Sequence, residues 1–416
     1  MSTKVAIIGG GASGMMAAIA AARKENSVTI FEKNDKLGKK ILLTGNGRCN
    51  ITNTNVTWQN YKGTTPKFTA SVLAQHSNLD TIQFFKDLGL VLIEEDRGRL
   101  FPRSNQAQSV IDVLEEELDR LEVEIFYNQK IKRIDYSKQL TDNSKTHFEI
   151  VTYQNKKHYF EKVIIATGGK SFPRTGSTGD GHRFAEQLGH KIVNPFPASV
   201  PFRIQNPVCN KLQGIKIDAV LRIYLNDKKV SEVTDEVLFT HLGLSAPAVL
   251  ESSREVSKIL QENKSAKITC SLNLFPEYTE EQLYKLLKER ISSHPDRGIG
   301  NQFTGMLPKK VLPTILKNEN INPEEKSKQT SNATIHKIIK LVTDYRLLVT
   351  DVLGWEIAQF TAGGVSTKEI DSKTMESKTT PGLYFCGEVI DIDGQSGGFN
   401  LQWAWSSGWV AGNNIQ

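Results

Sequence analysis

Apolar residues along the chain follow two rhythms. Residues 5–8 and 28–31 are short unbroken apolar runs, which suit strands buried on both faces of a parallel sheet. Residues 163–166 and 383–386 repeat the pattern far downstream. Helical spacing covers 66–89, with Phe68, Val72, Ile82, Phe84, Phe85 and Leu88 as core candidates. It covers 107–121 as well, with Val110, Val113, Leu114 and Leu118 on one face. Residues 131–134, 148–152 and 157–160 predict further strands, and 98–103 a loop. From about 192 the rhythm becomes alternation. Ile217, Ala219, Leu221, Ile223 and Leu225 predict a half-buried antiparallel strand, as do Ile268, Cys270, Leu272 and Leu274. Helical patterns follow over 280–293, 308–316 and 334–345, with a polar, flexible connection at 322–332. The organisation expected is an α/β domain in two parts, 1–191 and 356–416, split by a β-plus-α insertion at 192–355.

The first apolar run leads into Gly9, Gly11 and Gly14, spaced G-x-G-x-x-G, and then a helix rich in small residues at 15–22. The first glycine permits a tight turn, the second lets backbone approach a pyrophosphate, and the third allows close helix–strand packing. Phosphates on the helix N-terminus meet unpaired N–H groups, here with Ala12 and Ser13. The second strand ends in Glu32, placed to accept hydrogen bonds from a ribose. Such a fingerprint alone also fits a plain glycine turn, but strand, helix, second strand and acidic end in order point to a dinucleotide. Far downstream, Gly387, Glu388 and Asp391 precede Gly397, Gly398, Phe399 and Asn400, a segment similar to those that close a flavin site. Together the two ends predict a Rossmann-like FAD-binding domain interrupted by an insertion.

Composition changes this picture little. The 416 residues carry 52 basic and 46 acidic side chains, a net +6, which demands neither nucleic acid nor membrane. Lys33, Lys36, Lys39 and Lys40 read as a solvated loop, with a phosphate clamp as the alternative; Lys33 and Lys40 stay among the cofactor-binding candidates. Cys49, Cys209, Cys270 and Cys386 form no C-x-x-C pair, against a disulfide framework or dithiol centre. No leader peptide or apolar stretch of about 18 residues is visible, so the expected location is the cytoplasm. No metal site is expected.

Thr44, Gly45, Asn46, Gly47, Arg48, Cys49 and Asn50 form a glycine-rich loop with exposed backbone donors. GGGASG, TGNGRCN, GRLFP, ATGG, TGDG, LFTHLGLSAPA, TAGGV and GLYFCGEVIDIDGQSGGFNLQWAWSSG follow one another here in the order found in the BaiN/YhiN-like NAD(P)/FAD-dependent oxidoreductases, which the chain resembles over essentially its whole length. The resemblance implies a glutathione-reductase type of FAD domain and an insertion with a β-barrel-like part and a helical part, about 276–345. It implies pyrophosphate on Gly9, Gly11 and Gly14 and ribose on Glu32, with Thr44 to Asn50 lining the flavin. It places Ile131 on the adenine, Ala166, Thr167, Gly168 and Gly169 beside the cofactor, Glu388 on the ribityl chain, and Gly398, Phe399, Asn400 and Leu401 over the pyrimidine end.

The resemblance leaves the substrate open between C=C reduction and amine (aminoacetone-type) oxidation with oxygen. The run Thr175, Gly176, Ser177, Thr178, Gly179, Asp180, Gly181 lacks a preceding apolar strand, so no second nucleotide domain is expected. NAD(P)H, if the donor, docks directly over the flavin. His241, in a glycine-containing loop of the insertion, is either a catalytic group facing the flavin across a cleft or a neutral structural histidine. Arg48 either orients an anionic or carbonyl substrate or holds its own loop, and Arg103 either binds substrate or pyrophosphate or is surface. Cys49 invites covalent attachment but has no partner cysteine near, and Trp403, Trp405 and Trp409 read as packing. An RNA-modifying flavoprotein would be expected to add a basic patch and functional cysteines, and neither is apparent, so no nucleic acid partner is expected. A flavin-binding redox sensor remains the non-catalytic alternative.

Overall fold

The computed structural model describes residues 2–137 and 147–415. The chain forms two compact units, Met1–Pro197 with Ala358–Gln416, and Ala198–Ile357. In the first, five parallel strands lie in the order Leu383–Phe385, Lys162–Ile165, Lys4–Ile8, Ser27–Phe31 and Glu124–Phe126. The unbroken apolar runs are buried: Val5, Ala6, Ile7, Ile30, Val163, Ile164 and Ile165 are sealed from solvent. A three-stranded antiparallel sheet, Ile131–Tyr136, Phe148–Thr152 and Lys157–Phe160, stands beside it. The connection at 138–146 lies outside the described residues.

The fingerprint helix Ala12–Ala22 packs on the C-terminal helix Phe399–Asn413, and small residues set the spacing. A Cβ on Gly408 would stand 2.4 Å from the Ser13 carbonyl oxygen, and one on Gly412 2.2 Å from that of Ala17. One turn apart, these two glycines let the backbones touch. Trp403 and Trp405 are buried against this seam, while Trp409 stacks on His76 with ring centroids 5.0 Å apart. Burial holds His76 neutral, its pKa lowered to about 4.

The second unit is a closed barrel of six strands in the order Phe202–Ile204, Gly243–Ser245, Lys228–Thr240, Lys216–Leu225, Ile268–Asn273 and Tyr345–Val352. Ile217, Ala219, Leu221 and Ile223 point to its core, as the alternation requires. Helices Glu280–Ser293, Val311–Asn318 and Asn332–Thr343 fill the chain between the last two strands.

Four sequence expectations fail locally. The helix expected over 66–89 is two, Phe68–Gln75 and Asn78–Asp87, because Ser77 caps a new start: its Oγ accepts from the Asp80 N–H, and its own N–H donates to the Asp80 carboxylate. Residues 98–103 hold a strand, Arg99–Pro102, which pairs with Leu92–Glu95 across a turn where Arg97 has φ +62°. Tyr345 opens a barrel strand where helical spacing suggested a helix end. The polar 322–332 stretch is pinned down: Gln302 Nε2 donates to a buried Ser327 Oγ at 2.8 Å, and Ser327 donates its N–H to the Arg297 carbonyl. Polarity there reflects internal hydrogen bonding.

Candidate functional site

Where the parallel strands of the first unit end at their carboxyl edge, an open cleft of about 1220 Å³ runs over the fingerprint turn, the place where open α/β sheets bind ligands. Gly9, Gly11, Ala12 and Ser13 form its floor, and Ala166, Thr167 and Gly168 come in from the neighbouring strand. Gly14 lies behind the floor: a Cβ there would sit 1.9 Å from the Gly9 carbonyl oxygen, so only glycine lets helix and turn meet. At Gly11 an added Cβ meets no protein atom within 4 Å, so the space over that amide is free for an incoming group.

At one end Glu32 is buried and oriented. Its Oε2 accepts from the Gly10 N–H at 2.8 Å, and its Oε1 from the Asn34 N–H at 2.8 Å and Asn34 Nδ2 at 2.7 Å. Ile131, Gln129 and Lys130 line this end, and the glycine run Thr175, Gly176, Ser177 and Asp180 closes its wall. Lys33 Nζ donates to Thr178 Oγ1 and Asp180 Oδ2, both at 2.7 Å, and Asn34 Nδ2 to the Thr175 carbonyl at 3.0 Å. Lys33 is therefore a strut between two walls of the cleft. The ammonium beside it, with the Thr178 hydroxyl, holds the Asp180 carboxyl below its ordinary range despite burial.

In the middle, Glu388 gathers three donors: Lys40 Nζ at 2.5 Å, Ser171 Oγ at 2.6 Å and the Thr361 N–H at 2.7 Å. Lys40 also donates to Ser171 Oγ at 2.5 Å. Ser171, Gln129 and Asn34 carried no signal in the sequence, and Thr361 only as the first residue of TAGGV; each arrives through tertiary folding. His182, near Glu388, is buried, and burial lowers its pKa to about 4.

The far end is made by Thr44, Ile392, Asn400, Leu401, Trp403 and Ala404. The C-terminal helix begins here. Gly398 precedes it at φ +103°, with no side-chain cap, so the first amides point out of the helix unpaired by a cap. The Asn400 side chain is committed elsewhere, accepting from the Gly394 N–H at 2.9 Å and donating to its carbonyl at 2.8 Å. Phe399 is buried beneath, and Tyr61 donates its hydroxyl to the Phe399 carbonyl at 3.1 Å.

Other expected site residues lie behind the lining. Gly387 packs on Ser13, and Gly169 on Thr361. Asp391 accepts from the Thr64 N–H at 2.9 Å. Gly45, Asn46 and Gly47 form a left-handed turn, with φ of +55°, +58° and +82°. Cys49 is fully buried and desolvation pushes its thiol up to about 12, which leaves no thiolate for attachment. Arg48 donates to Glu95 Oε1 at 2.6 Å and stacks over Phe101 at 4.1 Å, the arrangement of an arginine that holds its own loop. Asn50 sits beside Gly398, and its Oδ1 is buried without a partner. Arg103 is exposed. His241 belongs to the other unit, exposed in the turn after Thr240, while the cleft is lined wholly by its own unit.

The features suit a dinucleotide: an open glycine amide at the helix start, an oriented carboxylate, and a buried amide oxygen, Gln129 Oε1, with no hydrogen bond. Gly11, Glu32 and Gln129 would hold an adenosine diphosphate half, and Glu388, Asn400 and Leu401 the flavin half. Among the described residues no cluster suits a metal, and no helix is long and apolar enough to cross a membrane.

The family model of the HI0933-like protein Rossmann domain matches residues 3–414. The 3-dehydro-bile acid delta(4,6)-reductase of Clostridium scindens is 34% identical over 411 residues, 98% of each chain. The ribosomal RNA dihydrouridine synthase of Escherichia coli is 32% identical over 412 residues, 98% of this chain and 97% of that protein. That of Haemophilus influenzae is 31% identical with the same coverage. Among solved structures, the 3-ketosteroid delta1-dehydrogenase of Sterolibacterium denitrificans, in complex with 1,4-androstadiene-3,17-dione, aligns with a TM-score of 0.52 at 12% identity over 99% of both chains, a likeness of fold.

Proposed function

The chain belongs to the HI0933-like Rossmann family of FAD-dependent oxidoreductases, and from that premise we propose that it reduces a carbon–carbon double bond conjugated to a carbonyl. One observation carries the reading. Relatives of similar identity over the same length bear names with a common chemistry: a delta(4,6)-reductase acts on ring double bonds of a keto bile acid, and dihydrouridine is the uracil ring with its double bond saturated. FAD supplies the two-electron carrier for such a step. This chain's own residues would hold it: Glu32 at the adenosine ribose, Glu388 at the ribityl chain, and the amides at the start of the C-terminal helix at the end of the ring where charge gathers on reduction.

NAD(P)H is the proposed donor, docking over the flavin. The second glycine run forms a wall of the FAD cleft, which supports that reading over a separate nicotinamide domain. An anaerobic titration with NADPH and NADH, followed by visible absorbance, is expected to bleach the flavin with at least one donor, and a cyclic enone to restore the colour. If both donors leave the flavin oxidised, while a primary amine bleaches it and air then yields peroxide, the protein is an amine oxidase and the reductase reading falls.

The substrate proposed first is a small enone. A uracil ring in ribosomal RNA is the second reading, favoured by the two dihydrouridine synthase relatives at 31% and 32% identity. All four cysteines are buried, so an RNA reaction would have to draw its proton from another group. Mass spectrometry of ribosomal RNA nucleosides from cells with and without the gene separates the two. Loss of dihydrouridine with the gene assigns the RNA substrate; an unchanged content leaves the enone.

A further inference from the structure

We propose that Gln129 reads the adenine base of the cofactor and makes the protein selective for an adenine dinucleotide. The proposal rests on the assignment of the cleft to FAD. Gln129 lines the cleft at the end marked by Glu32 and Ile131. Its Oε1 is buried and takes no hydrogen bond, an expensive state for a side-chain carbonyl unless a ligand completes it. The residue is fixed from behind: its backbone N–H donates to the Glu32 carbonyl at 2.8 Å, and the neighbouring Asn128 N–H to the Asn34 carbonyl at 2.9 Å. The strand end that places the ribose carboxylate thus also places the amide.

A carboxamide offers one acceptor and one pair of donors side by side. On its N7 edge adenine offers the complement, an exocyclic amine beside a ring-nitrogen acceptor, and glutamine pairs with that edge in two hydrogen bonds. Glu32 has both oxygens engaged and addresses sugar hydroxyls, which every ribonucleotide carries. Among the side chains at this end, base identity therefore falls to Gln129. The nearby charges are committed elsewhere: Lys33 and Asp180 are paired with each other at 2.7 Å, and Lys130 lies over the Tyr153 ring at 4.8 Å.

The test compares FAD with its hypoxanthine analogue, in which a carbonyl replaces the amine, and with FMN, by fluorescence titration of flavin-free protein. An amide can turn its donor toward a carbonyl, so the unsubstituted protein is expected to prefer FAD modestly, about threefold. Gln129→Glu keeps the acceptor and cannot donate, so it is expected to widen the preference to about tenfold or more, the scale of one hydrogen bond to a charged group. Gln129→Met, close in size, is expected to bind both dinucleotides alike and FMN unchanged. Equal affinity for the two dinucleotides in Gln129→Glu, or a preference retained in Gln129→Met, overturns the proposal while leaving FAD in the cleft. Failure of the unsubstituted protein to bind FAD removes the FAD assignment itself.

Discussion

Gly11→Val is expected to leave the flavin-free protein folded and to weaken FAD binding about a hundredfold. The backbone at Gly11 has φ −82° and ψ −169°, which any residue adopts, and an added Cβ meets no protein atom within 4 Å. The cost to the empty protein is limited to replacing a helix N-cap glycine by an unfavourable residue, about 1 kcal/mol. With FAD present the same atoms occupy the space the pyrophosphate needs, and overpacking of about 1–3 kcal/mol corresponds to roughly 5- to 150-fold in affinity. Gly14→Val supplies the contrast. Its Cβ would lie 1.9 Å from the Gly9 carbonyl oxygen, so it is expected to unfold the first unit with or without flavin. Urea unfolding of the flavin-free proteins, paired with flavin fluorescence titration, reads both effects. If Gly11→Val binds FAD within about twofold of the unsubstituted protein, the phosphates do not lie over this turn.

Gly398→Val is expected to make the bound flavin harder to reduce by about 30 mV or more, and to loosen it. At φ +103° a side chain is strained, and its Cβ would stand 2.5 Å from the Thr52 carbonyl oxygen and 3.0 Å from Asn50 Oδ1. The start of the C-terminal helix must then move. Its free amides favour negative charge by about 0.3–1 kcal/mol as a dipole and more as direct donors. Reduced flavin carries charge at its pyrimidine end, so a displacement costing about 1.4 kcal/mol in that state shifts a two-electron potential by about 30 mV. A spectroelectrochemical titration reads the shift. An unchanged spectrum and midpoint would show that the helix start does not address the flavin.

Both substitutions fall on glycines legible in the sequence, and the reason is physical. Close approach and left-handed backbone admit few residue types, so the chain announces such places. The buried parallel strands were legible for a similar cause, since a strand covered on both faces must be apolar throughout. Ser171, Thr361 and Gln129 are ordinary polar residues, and only the fold reveals that two of them converge on Glu388 and that the third faces the cleft with an idle oxygen. Arg48 and Cys49 show the reverse. Their chemistry looked available until the structure placed one on Glu95 and sealed the other. The break at Ser77 was written in a capping pattern that the longer apolar spacing masked.

The outer strand of the main sheet, Leu383–Phe385, pairs with Lys162–Ile165 from about 220 residues earlier in the chain. During synthesis at roughly 5–20 residues per second, that earlier strand waits tens of seconds for its partner. Throughout the wait it presents a row of unpaired backbone groups flanked by Val163, Ile164 and Ile165, the kind of edge that recruits other chains. The helix that closes the cleft emerges later still. A polypeptide released early would carry the fingerprint intact, yet hold no flavin and be prone to aggregate.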